Sequence, residues 1–340
     1  ICYGFHQLIK IGGGTVLPHD SKEFGRSAVS YNSPSNLFKG IPDGFVSWMS
    51  HGDSVGELPP GCEVKAMSEK YVAAAEWADA SFYGIQFHPE VTHCEYGNEL
   101  LKNFAIHICG AESSWNMDQF VEEESARVRE TVGENDVLLL ISGGVDSTVV
   151  AGLLLKALPS KQVHLMYMDT GLMRKDETRE VEKNLRLLGA ENLYLIDAEE
   201  DFLDSLSGIS DPEEKRKIIG DLFITIQNRE IKKRKIDTAF LAQGTLYTDM
   251  IESGKGVGKK AHVIKSHHNV RSPLVEEKRE KGEIIEPLAR LYKDEVRDMG
   301  RLLGIPESTI GRHPFPGPGL AVRILGDITA EKCRILREAD

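Results

Sequence analysis

The chain has 340 residues, of which 41% are hydrophobic and 28% charged, the composition of a soluble globular protein of about two domains. A formal net charge of -12 disfavours a nucleic-acid partner, because an acidic surface repels phosphate backbones. No apolar run approaches the roughly 20 residues that span a bilayer, and five scattered cysteines without a C-x-x-C pair favour a reducing compartment. We therefore expect a cytoplasmic protein with no membrane partner. Because it starts at Ile1 and stops at Asp340 inside a predicted helix, we expect the natural protein to be longer.

Residues 1–111 are predicted to form a sheet-rich first domain. Short apolar or alternating segments such as 45–49 and 82–87 are typical of strands, and glycine turns separate them. A polar stretch then leads to Asn116, a favourable N-cap with Gln119 as its capping-box partner, and to a helix that ends near Gly133. The domain boundary is accordingly predicted near residue 112.

Residues 112–313 alternate short apolar runs with helical patterns. Strands are predicted over 137–141, 163–168, 192–196 and 238–243, and helices over 147–158, 176–188, 212–235 and 293–303. This alternation requires right-handed crossovers, so the predicted fold class is α/β with a doubly wound parallel sheet. The prolines of residues 313–319 predict a stiff connector after it.

A glycine loop follows the first of these strands and opens a helix. Its residues are Ser142, Gly143, Gly144, Val145, Asp146, Ser147 and Thr148. Parallel sheets bind ligands at the carboxyl ends of their strands, and glycines, hydroxyls and the new helix's N–H groups together predict a phosphate cradle for ATP. Because the loop lacks the Walker lysine, it does not indicate γ-phosphoryl transfer. Asp146 would repel phosphates unless a cation lay between them, so we expect Mg²⁺ there; a plain glycine turn is the alternative.

A second candidate chemistry lies in Cys2 and in the segment from His88 to Glu90. A thiol becomes a nucleophile when a neighbouring base stabilises the thiolate, and a carboxylate can hold that base in one tautomer. Pro89 forces an extended backbone at His88, so His88 and Glu90 point to the same side. We therefore predict Cys2, His88 and Glu90 as nucleophile, base and orienting carboxylate. Taken singly, a cysteine is more often a packed thiol, and a histidine is more often an ordinary surface or core histidine.

These motifs resemble two known families. The loop 142–147 resembles the PP-loop of the N-type ATP pyrophosphatases, which cleave ATP between the α and β phosphates. Cys2, His88 and Glu90 resemble the catalytic triad of the class I glutamine amidotransferases, although that family usually has glutamine, which helps to seat the substrate, where this chain has His6. An amidotransferase upstream of a PP-loop domain is the arrangement of the GMP synthase family. The segments 213–220, 242–253, 265–269, 286–297 and 313–320 resemble that family too.

The resemblance implies a division of labour between domains. Residues 1–111 would be the C-terminal part of an amidotransferase domain that releases ammonia from glutamine. Residues 112–313 would adenylate XMP with ATP, release pyrophosphate and aminate the intermediate to GMP. Residues 314–340 would be a linker and the start of a dimerisation domain, which implies a homodimer.

Further residues are predicted to support the nucleotide site. Gly244 and Thr245 end a predicted strand and should face the same crevice as the loop, with a simple glycine turn as the alternative. Lys265 could neutralise the departing pyrophosphate, with a solvated basic loop as the alternative. Residues 215–217 are basic and follow Glu213 and Glu214, so ion pairs within one helix are predicted for them.

Three other functions remain open at this point. An NAD synthetase would require a nitrilase-like glutaminase with a catalytic lysine, which the segment from His88 to Glu90 argues against. A tRNA-thiolating enzyme would require a basic surface and paired cysteines. A catalytically silent homologue would keep the fold, and His6 is the motif position that favours it.

Overall fold

The computed structural model describes residues 1–31, 33–79, 82–252, 273–313, 315 and 317–340. They form two compact units, unit 1 (Ile1–Ser114) and unit 2 (Trp115–Asp340). Every helix among these residues is too short or too polar to span a bilayer.

Unit 1 is built on one antiparallel sheet. Its elements are α1 (Tyr3–Ile11), β1 (Val16–Tyr31), β2 (Phe45–Val55), β3 (Cys62–Met67), β4 (Val72–Trp77), β5 (Tyr83–Ile85) and α2 (Gly97–Lys102). The strand order is β2-β1-β3-β4-β5, and the long strand β1 pairs with β2 along most of its length before it turns to β3. The predicted strands at 45–49 and 82–87 correspond to β2 and β5.

Helix α1 lies outside the predicted elements, and its composition explains why. Gly4 near its start lowers the intrinsic helix propensity of a segment of only nine residues. Packing stabilises the helix instead, because Phe5 and Ile9 are fully buried against Val55 and Ala75 of the sheet.

Unit 2 alternates strands and helices. Its elements are α3 (Met117–Val132), β6 (Val137–Ile141), α4 (Val145–Ala157), β7 (Val163–Asp169), α5 (Glu177–Leu187), β8 (Asn192–Asp197), α6 (Glu199–Ser205), α7 (Pro212–Arg234), β9 (Phe240–Ala242), α8 (Tyr247–Glu252), α9 (Pro273–Glu280), β10 (Ile284–Ile285), α10 (Lys293–Leu302), α11 (Glu307–Ile310) and α12 (Ala330–Ala339). The strands are all parallel, in the order β10-β9-β6-β7-β8.

The central strand β6 shows that the sheet is covered on both faces. Val137, Leu139 and Ile141 are buried in one hydrophobic layer, whereas Leu138 is buried in the other. β6 pairs with β7 on one side and β9 on the other, so the strand order reverses at β6 and opens a crevice at its carboxyl end. The predicted doubly wound parallel sheet is confirmed.

The helix after the domain boundary begins as predicted but is capped differently. The Asn116 side chain accepts hydrogen bonds from the N–H groups of Asp118 (2.9 Å) and Gln119 (3.4 Å), as an N-cap does. The predicted capping box is wrong, because the Gln119 amide donates to Glu123 (2.7 Å), one turn further along the helix.

The prediction for Lys215 is also wrong. Arg216 pairs with Glu213 on α7 as expected (2.7 Å), but Lys215 is 1% exposed and its Nζ donates to the carbonyls of Ile324 (2.8 Å) and Gly326 (2.5 Å). Burial is the main cause that lowers the pKa of Lys215. The lysine thus ties α7 to the final segment of unit 2, whose Ala321, Ile324 and Cys333 lie in the second hydrophobic layer.

Candidate active sites

In unit 1, the outer edge of β2 holds Cys2 and His88. The Cys2 N–H donates to the carbonyl of Ile85 (2.8 Å), and its Sγ donates to the carbonyl of Ser50 (3.8 Å). The His88 N–H donates to the carbonyl of Trp48 (3.0 Å). Trp48 and Ser50 are two positions apart on one strand, so their carbonyls point the same way and place both segments along the same edge.

Cys2 adopts a backbone conformation that is rare for a residue with a side chain. Its φ is 46° and its ψ is −112°, and α1 begins at the next residue. Such a conformation costs of order 1–3 kcal/mol and is typical of functional sites in which surrounding contacts enforce it. The hydrogen bond to Ile85 and the packing of α1 are those contacts.

A glycine allows α1 to approach the sheet. A Cβ at Gly84 in β5 would overlap the ring of Phe5, which is fully buried. Phe5 lies in the first turn of α1, three residues after Cys2. Its close approach to Gly84 therefore determines how near Cys2 lies to the end of β5.

His88 and Glu90 interact as predicted from Pro89. His88 Nδ1 and Glu90 Oε1 are 2.6 Å apart, and the side chains are 24% and 50% exposed. A histidine that donates Nδ1–H to a carboxylate presents Nε2 with a free electron pair, which is the tautomer that a general base needs.

Two further polar residues, Gln86 and His6, lie near Cys2. Gln86 was not predicted as a site residue. Gln86 is fully buried, donates from Nε2 to Cys2 Sγ (3.7 Å) and bonds through Oε1 to His6 Nε2 (2.6 Å). The sequence did contain a signal for Gln86. It lies two positions before His88 in the same extended segment, so its side chain points to the same side as those of His88 and Glu90.

In unit 2, side-chain and backbone hydrogen bonds shape the glycine loop. The Ser147 hydroxyl lies 3.2 Å from the Ser142 N–H and 3.1 Å from the Ser142 hydroxyl. Thr148 donates its hydroxyl to the carbonyl of Gly144 (2.9 Å). Ser142 in turn accepts from the Gly144 N–H (3.3 Å), so the loop is folded back on the first turn of α4.

Gly143 has a φ of 79°, in the left-handed region that favours glycine. A Cβ there would lie 3.2 Å from Oε1 of Glu177, which is 3% exposed. Glu177 is held by Arg312 at 2.9 Å, and Arg312 also pairs with Glu180. A partly buried ion pair from distant segments therefore supports the back of the loop.

Asp146 forms an ion pair that the loop motif alone could not reveal. Its Oδ1 lies 2.6 Å from Nζ of Lys293, the first residue of α10, 147 positions away. A lysine that the loop itself lacks thus lies beside it on another helix. No pattern in the sequence predicts that pairing, because it depends on how α10 packs against α4.

A cavity of about 420 Å³ opens beside the loop at the carboxyl ends of β6 and β9. Ser142, Asp146 and Ser147 line it together with Gly244 and Thr245. Gly244 packs closely on the loop, since a Cβ there would lie 3.3 Å from the Asp146 Cβ. The structure therefore brings these five predicted residues to one site.

Other predicted residues have different surroundings. Val145 is buried in the hydrophobic layer on one face of the sheet. Gly143 and Thr148 line a much smaller cleft with Thr309 and Arg312. Lys265 lies outside the described residues.

Two family models match the chain. Residues 1–108 match the model of class-I glutamine amidotransferases, and residues 117–209 match that of NAD synthase. Together with the sheet order, these matches confirm the predicted class: a class I glutamine amidotransferase domain followed by a PP-loop domain.

Curated relatives match both domains at once. The glutamine-hydrolysing GMP synthase of Listeria innocua is 48% identical over 341 residues, which cover 100% of this chain and 64% of that protein. The corresponding protein of Streptococcus agalactiae is 49% identical over 347 residues, with 100% and 65% covered. The predicted resemblance to the GMP synthase family is confirmed along the whole chain, which spans less than two thirds of the length of these relatives.

A solved structure shows a weaker likeness. The NH3-dependent NAD synthetase of Campylobacter jejuni aligns with 58% of this chain and 77% of its own, at 17% identity and a TM-score of 0.41. A likeness of this size says nothing about function.

Proposed function

We propose that this chain carries the amidotransferase and ATP-pyrophosphatase parts of a glutamine-hydrolysing GMP synthase. Glutamine and water would give glutamate and ammonia in unit 1. In unit 2, ATP would adenylate XMP with release of pyrophosphate, and ammonia would then displace AMP to give GMP. The observation that carries the proposal is 48% identity to a GMP synthase along all of this chain.

The contacts in unit 1 support the glutaminase step. Cys2 is the proposed nucleophile, because it stands at a strained turn with a hydrogen-bond donor on its sulfur. His88 is the proposed base, and Glu90, at 2.6 Å, holds it in the tautomer that leaves Nε2 able to accept a proton.

The contacts in unit 2 support an ATP site at the cavity beside the loop. The N–H groups at the start of α4 and the hydroxyls of Ser142 and Ser147 favour phosphate oxygens. Gly244 and Thr245 are proposed as further lining of this site. The cationic Lys293, 2.6 Å from Asp146, would lie near the leaving pyrophosphate, where a fixed positive charge stabilises developing negative charge.

Mg²⁺ is proposed to enter this site with ATP. Among the described residues no group of three or more histidine, cysteine, aspartate or glutamate side chains could hold a metal. Mg²⁺ commonly binds through one or two carboxylates and substrate phosphates, and Asp146 offers one carboxylate at the cavity. The donor set therefore fits a cation carried by the nucleotide, which would screen Asp146 from the phosphates.

We also infer a homodimer, with residues 314–340 as linker and start of the dimerisation domain, and a cytoplasmic location. Both follow from the GMP synthase proposal. The length of the relatives beyond this chain provides room for such a domain.

The overall reaction is tested by its products. Full-length protein given XMP, glutamine and MgATP is expected to release AMP and pyrophosphate in amounts equal to the GMP formed, measured by chromatography of the nucleotides and a pyrophosphate assay. Release of ADP and phosphate would contradict the proposal.

The division of labour is tested by Cys2→Ala. The variant should lose GMP formation from glutamine by at least about 10³-fold, because the nucleophile is gone, while ammonium chloride should support the wild-type rate. Cys109→Ala, at an exposed thiol, is the matched control and should lose neither activity. Equal loss with glutamine and with ammonia would count against the assignment.

NAD synthesis is the second candidate, because residues 117–209 match the NAD synthase model. The same assay with deamido-NAD in place of XMP separates the two. Turnover of deamido-NAD without turnover of XMP would favour this second function.

A further inference from the structure

Three side chains beneath the start of α1 form a hydrogen-bonded chain, and two of them, His6 and Gln86, are buried. His6 is 6% exposed and Gln86 is fully buried. His6 Nε2 lies 2.6 Å from Gln86 Oε1, and Gln86 Nε2 donates to Cys2 Sγ at 3.7 Å. The His6 N–H donates to the Cys2 carbonyl (3.1 Å), which ties the turn at Cys2 to the first turn of α1. A single carboxamide, that of Gln86, bridges His6 and Cys2.

The direction of the bridge depends on which nitrogen of His6 carries the hydrogen. A carboxamide offers an oxygen that accepts and a nitrogen that donates. An imidazole nitrogen that bonds to the Gln86 oxygen has to carry a hydrogen, which leaves the Gln86 NH₂ group facing the sulfur. If the amide turned round while Nε2 kept its hydrogen, the Gln86 NH₂ would meet the N–H of His6 and a donor would oppose a donor. The Nε2–H tautomer of His6 therefore goes with an amide N–H on Cys2.

Burial keeps His6 neutral around pH 7. It is the largest effect on this residue and lowers the pKa of His6, with His51 of β2 and Lys10 of α1 acting in the same direction. The hydrogen bond to Gln86 and the charge of Asp53 oppose it. The ring therefore acts through its Nε2–H group rather than through a charge.

We propose that His6 is a positioning residue for the Cys2 sulfur, because through Gln86 it holds an amide N–H donor on that sulfur. An N–H donor favours a negatively charged sulfur over a neutral thiol, so the relay helps to form the nucleophile. This inference rests on the proposed role of Cys2 in glutamine hydrolysis. It also gives a function to His6, the position that would otherwise favour a silent homologue.

Three variants test the relay in the full-length protein. His6→Phe keeps a ring but removes the donor to Gln86, and Gln86→Met removes the donor at the sulfur without adding a charge. His6→Gln keeps an N–H group that can bond to the Gln86 oxygen, so it is the conservative rescue. His107→Phe, at an exposed position of the same unit, is the control.

The first measurement is the rate at which iodoacetamide alkylates Cys2, followed by mass spectrometry of its peptide across pH. His6→Phe and Gln86→Met are expected to slow alkylation at pH 7 by about tenfold, the effect of losing one hydrogen bond to a charged group, and to move the pH–rate profile to higher pH. His6→Gln and His107→Phe should stay within about twofold of the wild type. Unchanged profiles in both His6→Phe and Gln86→Met would overturn the proposal, and Gln86→Met decides alone if His6→Phe does not fold.

The second measurement is glutaminase kinetics. The two disabling variants should lower kcat by about tenfold with a smaller change in KM for glutamine, since the sulfur rather than the substrate contact is affected. A rise in KM at constant kcat would overturn the positioning role. Alkylation needs no glutamine turnover, so failure of the relay stays distinct from failure of the proposed function, which Cys2→Ala tests.

Discussion

Helices α1 and α4 begin in different ways, although each starts at a candidate site. Before α1, the unusual backbone conformation belongs to Cys2 itself, with a φ of 46°. Before α4, it belongs to Gly143, with a φ of 79°, and Asp146 and Ser147 follow in ordinary helical positions. A nucleophilic site needs the side chain at the turn, so the strain stays in the residue that acts. A phosphate site needs bare backbone at the turn, so glycine takes that position.

The charged and acid–base pairs of the two sites also differ in how far apart their members lie along the chain. In unit 1, His88 and Glu90 are two positions apart and interact within one extended segment. In unit 2, Asp146 meets Lys293 from 147 positions away, and Glu177 behind the loop meets Arg312 from 135 positions away. The loop motif is therefore only part of its site, and the packing of α10 and of the segment before residue 313 completes it.

Among variants of unit 2, the largest expected effect is that of Gly143→Ala. A side chain at a φ of 79° costs about 1–2 kcal/mol, and its Cβ would also press on Glu177 Oε1 at 3.2 Å. The loop should shift, and because misplacement by about 1 Å can cost 10²-fold in rate, ammonia-dependent GMP formation should fall by at least about 10²-fold. Steady-state kinetics with XMP, ammonium and MgATP measures it, and glutaminase activity should persist.

Gly133→Ala is the matched control. Gly133 also has a positive φ, 57°, but a Cβ there meets nothing within 4 Å. Gly133→Ala should lower the stability of unit 2 by about as much as Gly143→Ala does, but it should not slow catalysis. If both variants slowed the reaction equally, the contact between the loop and Glu177 would not be what matters.

Lys293→Met should have the next largest effect. Removing the ammonium beside Asp146 is expected to slow the ATP-dependent step by about 10- to 100-fold, the value of a hydrogen bond to a charged group, with both XMP and ammonium saturating. The matched control is Lys281→Met, which breaks an exposed pair with Glu277 (2.6 Å) elsewhere in unit 2 and should change the rate by less than about twofold. If the Lys293→Met enzyme were as fast as the Lys281→Met enzyme, the ion pair between Lys293 and Asp146 would not contribute to catalysis.

The sequence predicts the parts of each site that are local. Pro89 fixes the spacing of His88 and Glu90, and the strand before Ser142 predicts where the loop sits on the sheet. Gly244 could be placed opposite the loop because parallel strands end at one edge. In each case, the geometry follows from backbone rules that act over a few residues.

The missing parts depend on tertiary packing. Lys215 follows two glutamates on α7, so its sequence neighbours predict an ion pair, yet burial directs it to carbonyls of the last segment. The pairing of Lys293 with Asp146 likewise depends on packing between helices. α1 escaped prediction because buried Phe5 and Ile9 stabilise a helix that its own propensity does not. Desolvation and shape at these positions outweigh the local rules.

The smallest expected effect compares Cys2→Gly with Cys2→Ala, both of which lack the thiol. Glycine relieves the strain at a φ of 46°, worth about 1–2 kcal/mol, but adds about 0.5–1 kcal/mol of backbone entropy cost, so Cys2→Gly should be more stable by roughly 0.5–1 kcal/mol. Hydrogen exchange of the α1 amides, which reports the free energy of local opening, measures the difference. At the exposed helical residue Lys10 the order should reverse, with Lys10→Gly less stable than Lys10→Ala by about 1 kcal/mol. If Cys2→Gly were less stable than Cys2→Ala, as expected at Lys10, the backbone at Cys2 would be unstrained. The proposed difference between the starts of α1 and α4 would then be wrong.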